Sequence, residues 1–548
     1  MKRAAAKPRR RRAAPAARTV PAPRGRAPAR GASARAPLRR ILIANRGEIA
    51  LRVLRACREM GLSPIMVYSE ADRDSLPVRL ADAAYLVGPA PASSSYLDVD
   101  AILRAAREAG ADAVHPGYGF LAENPGFAEA VAGAGLVFIG PPPRAMRALG
   151  DKVEARRLMA QRGVPVIPGL TDRAADAEAL RRFAGQAGYP IILKAAAGGG
   201  GKGMRVVRRD EEIDPALRAA RSEAKASFGD DGVYAEKYLE GVRHVEVQVL
   251  ADAHGHAVHL GERECSVQRR HQKLIEEAPS TAMTPVARRR LGELALRVVK
   301  ASGYVNAGTV EFLLDAGGKA YFMEVNARLQ VEHPVTEMVT GIDLVRAQIE
   351  IAQGERLMLR QEALAPRGWA IECRIVAEDP QHSFRPSPGR IGLLRFPAGP
   401  GVRVDSALQP GDTISLHYDA LVAKLIAWGR DREQAIARMR RALDEILIAG
   451  IRTSIPFHRE VLADADFQAG RIDIGYAERA LPRLATAMRE AGPDAEAAAI
   501  AVAVAAGEES ARAAAGPGAA ARAWGPGPWA LAGRRALMEG RVPKYKTP

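Results

Sequence analysis

Residues 41–50 have the sequence Ile-Leu-Ile-Ala-Asn-Arg-Gly-Glu-Ile-Ala, and this stretch decides the fold of the first part of the chain. Its first four residues form an apolar run typical of a short buried strand, and Asn45-Arg46-Gly47 predicts a turn. Beyond the turn, apolar side chains recur at the spacing of a helix, at Ile49, Val53, Ala56 and Met60. The stretch therefore predicts a strand that leads directly into a helix.

The next hundred residues repeat this alternation of strands and helices. Apolar runs predict strands at 64–68, 113–115 and 136–139, and helical periodicity predicts helices at 99–109 and 125–134. Strands that alternate with helices of this length form a parallel sheet with crossover helices. We therefore predict an α/β domain over residues 39–150.

Two further regions follow this domain. A second α/β region opens at Asp151-Lys152 and extends to about residue 365. A third covers residues 366–481, with predicted strands at 369–374 and 392–396. Residues 482–548 are dominated by Ala and Gly and are predicted to be a poorly packed appendix, and no internal repeat is found.

The basic charge of the chain belongs to its N-terminal tail. The 548 residues carry a formal net charge of +17, of which residues 1–38, with 2 Lys, 10 Arg and no acid, contribute +12 and the remainder +5. A body so nearly balanced does not predict nucleic-acid binding. The tail lacks bulky apolar residues, so we predict that it is disordered. An organellar transit peptide, which its prolines disfavour, and a start codon placed too far upstream are the alternatives.

The cysteines and the hydropathy indicate a protein of a reducing compartment without a membrane anchor. Cys57, Cys265 and Cys373 are too few and too scattered for a disulfide framework or a zinc site. The longest apolar stretch, residues 497–507, is shorter than the about 20 residues that a membrane span needs. We therefore expect a cytoplasmic protein that binds neither membrane nor nucleic acid.

A glycine run follows a predicted strand in the second region. Residues 191–195 are apolar apart from Lys194, and residues 198–201, which include Gly200 and Gly201, are four consecutive glycines. Glycines let backbone N–H groups approach phosphate oxygens, and the lysine adds a positive charge. The spacing does not match the P-loop pattern. Flexible loops contain similar runs, so both interpretations stay open at this point.

The strongest local pattern is at residues 324–333. If this segment is extended, every even position from 324 to 332 is polar and every odd one to 331 is apolar, so two carboxylates, an amide, an arginine and a glutamine share one surface. Residues 309–314 add Glu311 between bulky apolar neighbours, where an unpaired carboxylate would be costly. Carboxylates beside an amide oxygen suit Mg²⁺ that carries nucleotide phosphates. The predicted metal ligands are Glu311, Glu324 and Asn326, and a solvated strand face is the alternative.

Three weaker patterns accompany these motifs. Residues 243–249 alternate so that one strand face would present His244, Glu246 and Gln248. Residues 269–273, Arg-Arg-His-Gln-Lys, bring cationic donors together, and residues 115–120 join a strand end to a glycine turn with two aromatic residues. Each pattern also fits an ordinary exposed strand or turn when it is taken alone.

Taken together and in this order, the motifs resemble the biotin carboxylase family over nearly all of residues 39–480. The matching segments are Ile43–Ala50, His115–Asn124, Met204–Val207, Cys265–Lys273 and Arg328–Glu337. Ala197 stands where some members have a fifth glycine, so we expect a slightly stiffer loop with the same role. The resemblance implies a Rossmann-like N-terminal domain, an ATP-grasp central domain with a mobile lid at about residues 166–236, and an α+β C-terminal domain.

The resemblance also implies an activity: carboxylation of biotin on a carrier protein, with MgATP (or MnATP) and bicarbonate and by way of carboxyphosphate. This is the first half-reaction of acetyl-CoA carboxylase, in fatty acid biosynthesis, or of another acyl-CoA carboxylase. The implied ATP contacts are Lys152, Lys194, Gly200, Gly201, Met204, Glu236, Lys237, Leu239, His244, Gln268 and His271. Gln330 and Val331 would bind bicarbonate together with Lys273 and Arg328. Tyr118, Gly119 and Phe120 would flank biotin. Glu332 would be the base, and Arg328 and Arg374 would stabilise the enolate form of biotin.

The expected partners follow from a missing motif. No Met-Lys-Met biotinylation sequence occurs in the chain, so we expect a separate biotin carboxyl carrier protein. The resemblance further implies carboxyltransferase subunits that choose the acyl-CoA or pyruvate acceptor, and a homodimer. One alternative is a truncated α subunit of a propionyl- or methylcrotonyl-type carboxylase, which residues 524–529 faintly resemble. Another is a different ATP-grasp ligase, which Arg374 and the aromatic loop at Tyr118 disfavour. The third is a nucleic-acid-associated protein that acts through its tail.

Overall fold

The computed structural model describes residues 37–170, 176–195 and 204–490. Most of the predicted basic tail, the glycine run with Gly200 and Gly201, and most of the predicted appendix lie outside the described residues. The expectations for those segments stay predictions.

The N-terminal domain alternates strands and helices. In chain order its elements are β1 (Arg40–Ile43), α1 (Gly47–Glu59), β2 (Ser63–Ser69), α2 (Leu76–Leu80), β3 (Ala83–Gly88), α3 (Val99–Glu108), β4 (Ala113–His115), α4 (Pro125–Gly133), β5 (Val137–Phe138) and α5 (Pro143–Gly150). The strands form one parallel sheet in the order β3-β2-β1-β4-β5. The predicted α/β domain with a parallel sheet is confirmed.

The apolar run of β1 is continuous because both faces of this sheet are covered. Ile41 and Ile43 pack on one side with Val53 of α1. Leu42 points to the other side and packs with Ile102 of α3. Successive side chains of a strand point to opposite faces, so a strand between two layers of helices needs apolar residues at every position.

The central domain contains two sheets. Its elements are α6 (Lys152–Gln161), α7 (Ala177–Ala187), β6 (Ile191–Ala195), β7 (Arg205–Val207), α8 (Ile213–Phe228), β8 (Val233–Lys237), β9 (Arg243–Ala251), β10 (Ala257–Arg269), β11 (Gln272–Ala278), α9 (Pro285–Ser302), β12 (Asn306–Leu314), β13 (Ala320–Asn326), α10 (His333–Thr340) and α11 (Leu344–Ala352). Strands β7, β6 and β8 form a small antiparallel sheet in that order. Leu193 of this sheet packs against Leu180 of α7 and Leu217 of α8. The segment that the sequence predicts as a lid therefore has a small core of its own.

The C-terminal domain consists mainly of short strands and four helices among the described residues. Its elements are β14 (Trp369–Val376), β15 (Glu378–Asp379), β16 (Arg385–Pro386), β17 (Gly389–Arg390), β18 (Leu393–Arg395), β19 (Val402–Asp405), β20 (Thr413–Ile414), β21 (Leu421–Gly429), α12 (Arg432–Glu445), β22 (Leu447–Ala449), α13 (Ile455–Ala463), α14 (Ala465–Gln468) and α15 (Tyr476–Glu490). The predicted α+β character is confirmed.

One antiparallel sheet of eight strands joins the central and C-terminal domains. Its order is β13-β12-β9-β10-β11-β14-β21-β19. Strand β11 of the central domain pairs with β14 of the C-terminal domain, and Glu276 lies opposite Glu372 in this pair. The predicted boundary at residues 365–366 therefore separates two stretches of sequence but not two sheets.

The structure moves two predicted boundaries. Leu38, assigned to the disordered tail, is buried in the N-terminal core, and the backbone N–H groups of Arg39 and Arg40 donate to Asp112. Helix α15 continues to residue 490, and its Leu484 and Met488 are buried in the C-terminal core. Composition averaged over a window overlooked these single apolar residues, so the packed chain starts earlier and ends later than predicted.

Two observations concern the expected compartment and the expected lack of a membrane anchor. Cys57, Cys265 and Cys373 are buried and form no disulfide. Among the described residues, no helix combines the length and the apolar character that crossing a membrane would require.

Candidate active site

A cavity of about 1030 Å³ is lined by residues of all three domains. The predicted site residues that line it are Tyr118, Gly119, Phe120, Lys152, Lys194, Met204, Glu236, Lys237, Leu239, His244, Gln268, His271, Lys273, Glu311, Glu324, Asn326, Arg328, Gln330, Val331 and Arg374. Gly200 and Gly201 lie outside the described residues. Glu332 is fully buried behind the cavity wall. The structure therefore brings together residues that are more than 250 positions apart.

Lys273 lies at the centre of the inner end of the cavity. Its Nζ donates to Glu246 Oε2 at 2.5 Å, to Glu332 Oε1 at 2.5 Å and to Glu311 Oε1 at 3.1 Å. Strand pairing causes this convergence, because Glu246 and Glu311 are directly opposite each other on β9 and β12. One ammonium group thus holds three buried carboxylates together.

Glu332 is ionised in this arrangement. Burial by itself raises the pKa of its carboxyl, but the positive charges of Lys273, Arg374 and Arg263 outweigh burial and hold the pKa well below its usual value. A carboxylate so strongly stabilised is a weak base. An anion in the cavity that attracted Lys273 or Arg374 would weaken this stabilisation and make Glu332 more basic.

Arg374 and Arg328 place two guanidinium groups on the cavity wall. Arg374 Nε donates to Glu276 Oε1 at 2.6 Å, and its Nη2 donates to Glu332 Oε2 at 2.9 Å. Arg328 Nε donates to Glu123 Oε2 at 3.0 Å, and its Nη2 donates to Asn326 Oδ1 at 2.9 Å. Both guanidinium groups are held in place by the protein, which is what stabilisation of a developing negative charge requires.

The predicted metal ligands lie on two paired strands. Glu311 and Glu324 are opposite each other on β12 and β13. Glu311 Oε1 accepts from Asn326 Nδ2 at 2.7 Å, and Glu324 Oε2 accepts from Lys152 Nζ at 2.7 Å. Two carboxylates and an amide are the hard oxygen donors that Mg²⁺ prefers, so the chemistry of the set fits the ion. The amide nitrogen of Asn326 faces Glu311 here, so ligation through its oxygen needs the amide to rotate.

His244 is paired with the same carboxylate. Its Nε2 lies 2.9 Å from Glu311 Oε2. Burial alone would lower the pKa of His244, but the charge of Glu311 reverses this effect and raises the pKa. In the same way, Lys273 and His244 overcome the effect of burial and hold the pKa of Glu311 below its usual value. Glu311 therefore carries a full negative charge that a metal ion could use.

The outer part of the cavity lies between the two sheets of the central domain. Lys194 Nζ donates to Glu236 Oε2 at 2.6 Å, and Arg156 donates to the other oxygen of Glu236. Lys237 Nζ donates to the carbonyl oxygens of Gly188 and Tyr189 at 3.0 and 2.9 Å. Lys152 of α6 and Lys194 of the small sheet thus both line this part of the cavity.

The loop of residues 115–120 is held by hydrogen bonds to its backbone. Asn45 Nδ2 donates to the carbonyl oxygens of Pro116 and Tyr118 at 2.6 and 2.8 Å. Gly117 has φ of +64°, and a Cβ atom there would lie 2.9 Å from Asn45 Nδ2, so only glycine fits. Phe120 stacks on Tyr96 with ring centroids 5.0 Å apart. The aromatic loop is therefore rigidly placed at the carboxyl end of β4.

The extended backbone on which the alternation of residues 324–332 was interpreted is present only in part. Strand β13 ends at Asn326, residues 327–331 are irregular, and Glu332 immediately precedes helix α10 without a side-chain capping hydrogen bond. The polar side chains still converge on the cavity because the irregular segment folds back beneath it, as the hydrogen bond from Gln330 Nε2 to Glu311 Oε1 at 3.0 Å shows. The alternating pattern correctly predicted that these polar side chains share one surface, but the backbone that carries them is not a continuous strand.

Several charged residues around the site were not assigned a role from the sequence. They are Glu48, Glu123, Arg156, Glu246, Arg263, Glu276 and Lys424. The usable signal was a single charged residue inside an apolar strand, as for Lys424 in Leu421–Gly429. A buried charge needs a partner, so such positions indicate a polar network.

The three domains match family models in the same order. Residues 37–146 match the biotin carboxylase N-terminal domain, and residues 151–360 match the ATP-binding domain of the carbamoyl-phosphate synthase L chain. Residues 372–479 match the biotin carboxylase C-terminal domain. The central match and the lysine-lined cavity define an ATP-dependent ligase of the ATP-grasp class.

Known relatives narrow this class to one family. Biotin carboxylase 1 of Bacillus subtilis (strain 168) is 51% identical over 442 residues, which are 80% of this chain and 98% of that protein. Biotin carboxylase of Haemophilus influenzae is 51% identical over 445 residues, which are 81% of this chain and 99% of that protein. The chain belongs to the biotin carboxylase family, as the sequence motifs predicted.

A solved structure agrees with this assignment. The biotin carboxylase domain dimer of Hydrogenobacter thermophilus 2-oxoglutarate carboxylase, in complex with MgADP, ADP and bicarbonate, superposes with a TM-score of 0.80 at 45% identity. The match covers 82% of this chain and 99% of that one.

Proposed function

We propose that this chain uses MgATP and bicarbonate to carboxylate biotin on a separate carrier protein, as the first half-reaction of acetyl-CoA carboxylase or another biotin-dependent carboxylase. The observation that carries the proposal is the contact of Glu332 with both Lys273 and Arg374 at the inner end of a cavity that all three domains line. It supports the proposal because a carboxylate, an ammonium and a guanidinium, the groups that the proposed roles require, belong to one hydrogen-bonded group. The related Hydrogenobacter domain, solved with MgADP and bicarbonate, supports the choice of substrates.

The first step activates bicarbonate. Lys273 and Arg328 hold the anion, with Gln330 and Val331 beside it, and Glu332 accepts its proton. The bicarbonate oxygen then attacks the γ-phosphorus of ATP, which gives carboxyphosphate and ADP. Glu311, Glu324 and Asn326 would hold Mg²⁺ or Mn²⁺, which neutralises phosphate charge when bound. Lys152 and Lys194 bind the phosphates, and Glu236, Lys237 and Leu239 lie at the adenine. Met204, His244, Gln268 and His271 lie along the rest of the nucleotide.

The second step transfers the carboxyl group. Carboxyphosphate breaks down to CO₂ and phosphate, and the phosphate removes the N1 proton of biotin. Arg374 and Arg328 stabilise the negative charge that develops on the ureido oxygen, and the resulting nitrogen attacks CO₂. Biotin lies against Tyr118, Gly119 and Phe120. The fixed contacts of Arg374 with Glu276 and Glu332 support its role, because a preorganised guanidinium needs no reorientation as charge develops.

The proposal extends to movement, partners and compartment. The lid, about residues 166–236, closes over the nucleotide, which its separate core of Leu180, Leu193 and Leu217 supports. The chain works as a homodimer, which the dimeric Hydrogenobacter domain supports, and with a biotin carboxyl carrier protein and carboxyltransferase subunits. We place the protein in the cytoplasm, where its buried free cysteines would stay reduced.

The test is an ATPase assay on the purified chain. ATP hydrolysis should depend on bicarbonate and rise with free biotin, and the intact mass should show no attached biotin. Hydrolysis that is indifferent to both compounds would overturn the activity. A biotin adduct would overturn the separate carrier.

A further inference from the structure

A buried lysine lies behind the cavity wall. Lys424 is in the middle of β21, between Ala423 and Leu425, and is fully buried. Its Nζ donates to the carbonyl oxygen of Val331 at 2.9 Å and lies 3.0 Å from Glu48 Oε1. A buried ammonium is costly unless it is paired and hydrogen-bonded, so these contacts account for its presence in an apolar strand.

These contacts connect all three domains. Glu48 belongs to α1 of the N-terminal domain, Val331 to the irregular segment of the central domain, and Lys424 to the C-terminal domain. Glu48 Oε1 also accepts a hydrogen bond from the hydroxyl of Tyr118, and Lys424 Nζ lies 5.8 Å from the centre of the Tyr118 ring. One ammonium group therefore lies behind both the aromatic loop and the segment that carries Val331.

Lys424 supports the site without entering it. Glu48, Tyr118 and Val331 line the cavity, whereas Lys424 does not. Strand pairing places Lys424 opposite Arg374 on one side and Asp405 on the other. Lys424 thus contacts residues that line the cavity but does not line the cavity itself.

We propose that Lys424 is a positioning residue that holds the biotin and bicarbonate subsites in one arrangement, through the carbonyl of Val331 and, by way of Glu48, the hydroxyl of Tyr118. The inference rests on the proposed function, which assigns Val331 to bicarbonate and Tyr118 to biotin. Lys424 has no contact with the predicted nucleotide residues, so ATP binding should not depend on it.

The variant that tests this role must not leave an unpaired buried charge. Lys424→Met alone would deprive Glu48 of its cation, whereas Asp405 would keep the two bonds from Arg403 at 2.8 and 2.7 Å. The double variant Lys424→Met/Glu48→Gln is therefore used. It is neutral, and the amide oxygen at position 48 can still accept from Tyr118. Glu48→Gln alone is a milder second variant that retains the lysine.

The control is an ion pair outside the cavity lining, with a buried carboxylate and a partly buried guanidinium. Arg288 Nε lies 2.8 Å from Glu262 Oε2, and neither residue lines the cavity. Arg288→Met/Glu262→Gln makes the same type of replacement, and its amide oxygen can still accept from the N–H of Ser280, as Glu262 does now. The control variant shows how the loss of an ion pair affects the three KM values when no residue of the cavity lining is changed.

The measurement is steady-state kinetics with free biotin, bicarbonate and ATP varied in turn, which gives a KM for each substrate. In the double variant, KM should rise about tenfold or more for biotin and for bicarbonate, the effect of losing a hydrogen bond to a charged group, while KM for ATP stays within about twofold. Glu48→Gln alone should raise the same two constants by a smaller factor. The control should leave all three unchanged.

The outcomes separate the two proposals. A parent chain without bicarbonate-dependent ATP cleavage would overturn the proposed function. With an active parent, the positioning role is overturned if only one of the two KM values rises, if neither does, or if KM for ATP rises to the same extent. If the double variant fails to fold, unchanged constants in Glu48→Gln overturn it and a joint rise supports it.

Discussion

Replacement of Glu332 by glutamine separates a base from a mere structural partner of cations. The amide keeps the size of the side chain and one acceptor oxygen, but it cannot accept a proton. Neither cation loses all its partners, because Lys273 keeps Glu246 and Glu311 and Arg374 keeps Glu276. We therefore expect Glu332→Gln to fold with a thermal unfolding midpoint close to that of the parent.

The expected loss of activity follows from the role of a positioned base. Loss of such a group costs about 10²- to 10⁴-fold in rate, or about 3 to 5 kcal/mol of activation free energy. MgATP affinity should change little, because Glu332 contacts neither Glu324 nor Lys152. Glu324→Gln is the contrasting variant: Glu324 lies in the metal set and holds Lys152 at 2.7 Å, so its loss should weaken nucleotide binding itself.

Two rates decide the test. Bicarbonate-dependent ATP cleavage and biotin carboxylation should fall together in Glu332→Gln, at saturating MgATP and bicarbonate. Direct nucleotide titration should give nearly the parental affinity. Carboxylation at a near-normal rate would refute the assignment and leave Glu332 as a structural partner of Lys273 and Arg374.

Three further outcomes are expected. Neither carboxyl oxygen of Glu372 has a hydrogen-bond partner among the described residues, and burial raises the pKa of this group well above its usual value. A group whose pKa is raised by folding destabilises the folded state as pH rises above the unfolded pKa. Glu372→Gln should therefore unfold at a higher temperature than the parent at pH 8. A lower unfolding temperature at that pH would contradict a raised pKa of Glu372. Burial lowers the pKa of His458 to about 4, so the folded state should lose up to about 1.4 kcal/mol per pH unit as pH falls from 6.5 towards 4. His458→Gln should flatten this decline in thermal unfolding measured from pH 7 to 5, and an unchanged slope would refute it. Deletion of residues 1–36 should leave the turnover number intact, whereas deletion through Leu38 should lower the unfolding temperature.

Secondary-structure elements with a clear local pattern of apolar residues could be predicted from the sequence. The β1–α1 unit follows from the apolar run at 41–44 and the helical spacing from Ile49, and its predicted ends agree with the structure to within a residue or two. The site motifs were also predictable as a group, because the polar residues of 324–332 alternate with apolar ones whichever way the backbone runs. The end of β13 at Asn326 was not, since an irregular segment and a strand can show the same alternation.

Features that depend on distant residues could not be derived from local patterns. The pairing of β11 with β14 joins residues about a hundred positions apart, and no periodicity in either strand encodes its neighbour. The hydrogen bond from Lys424 to Val331 is of the same kind. A lone lysine in an apolar strand indicates that a partner exists, but only the fold identifies the partner.

The shared eight-stranded sheet also connects two cations of the candidate site. Lys273 is on β11 and Arg374 is on β14, and these strands are joined by a continuous hydrogen-bonded ladder from Ile275–Cys373 to Ala278–Ala370. Lys273 lies two residues before this ladder and Arg374 one residue after it, so the two cations lie at the same end of the paired strands, on a sheet separate from the small β7-β6-β8 sheet. Under the proposed function, a movement of the small sheet that admits or releases nucleotide would therefore leave the strands of Lys273 and Arg374 paired with each other.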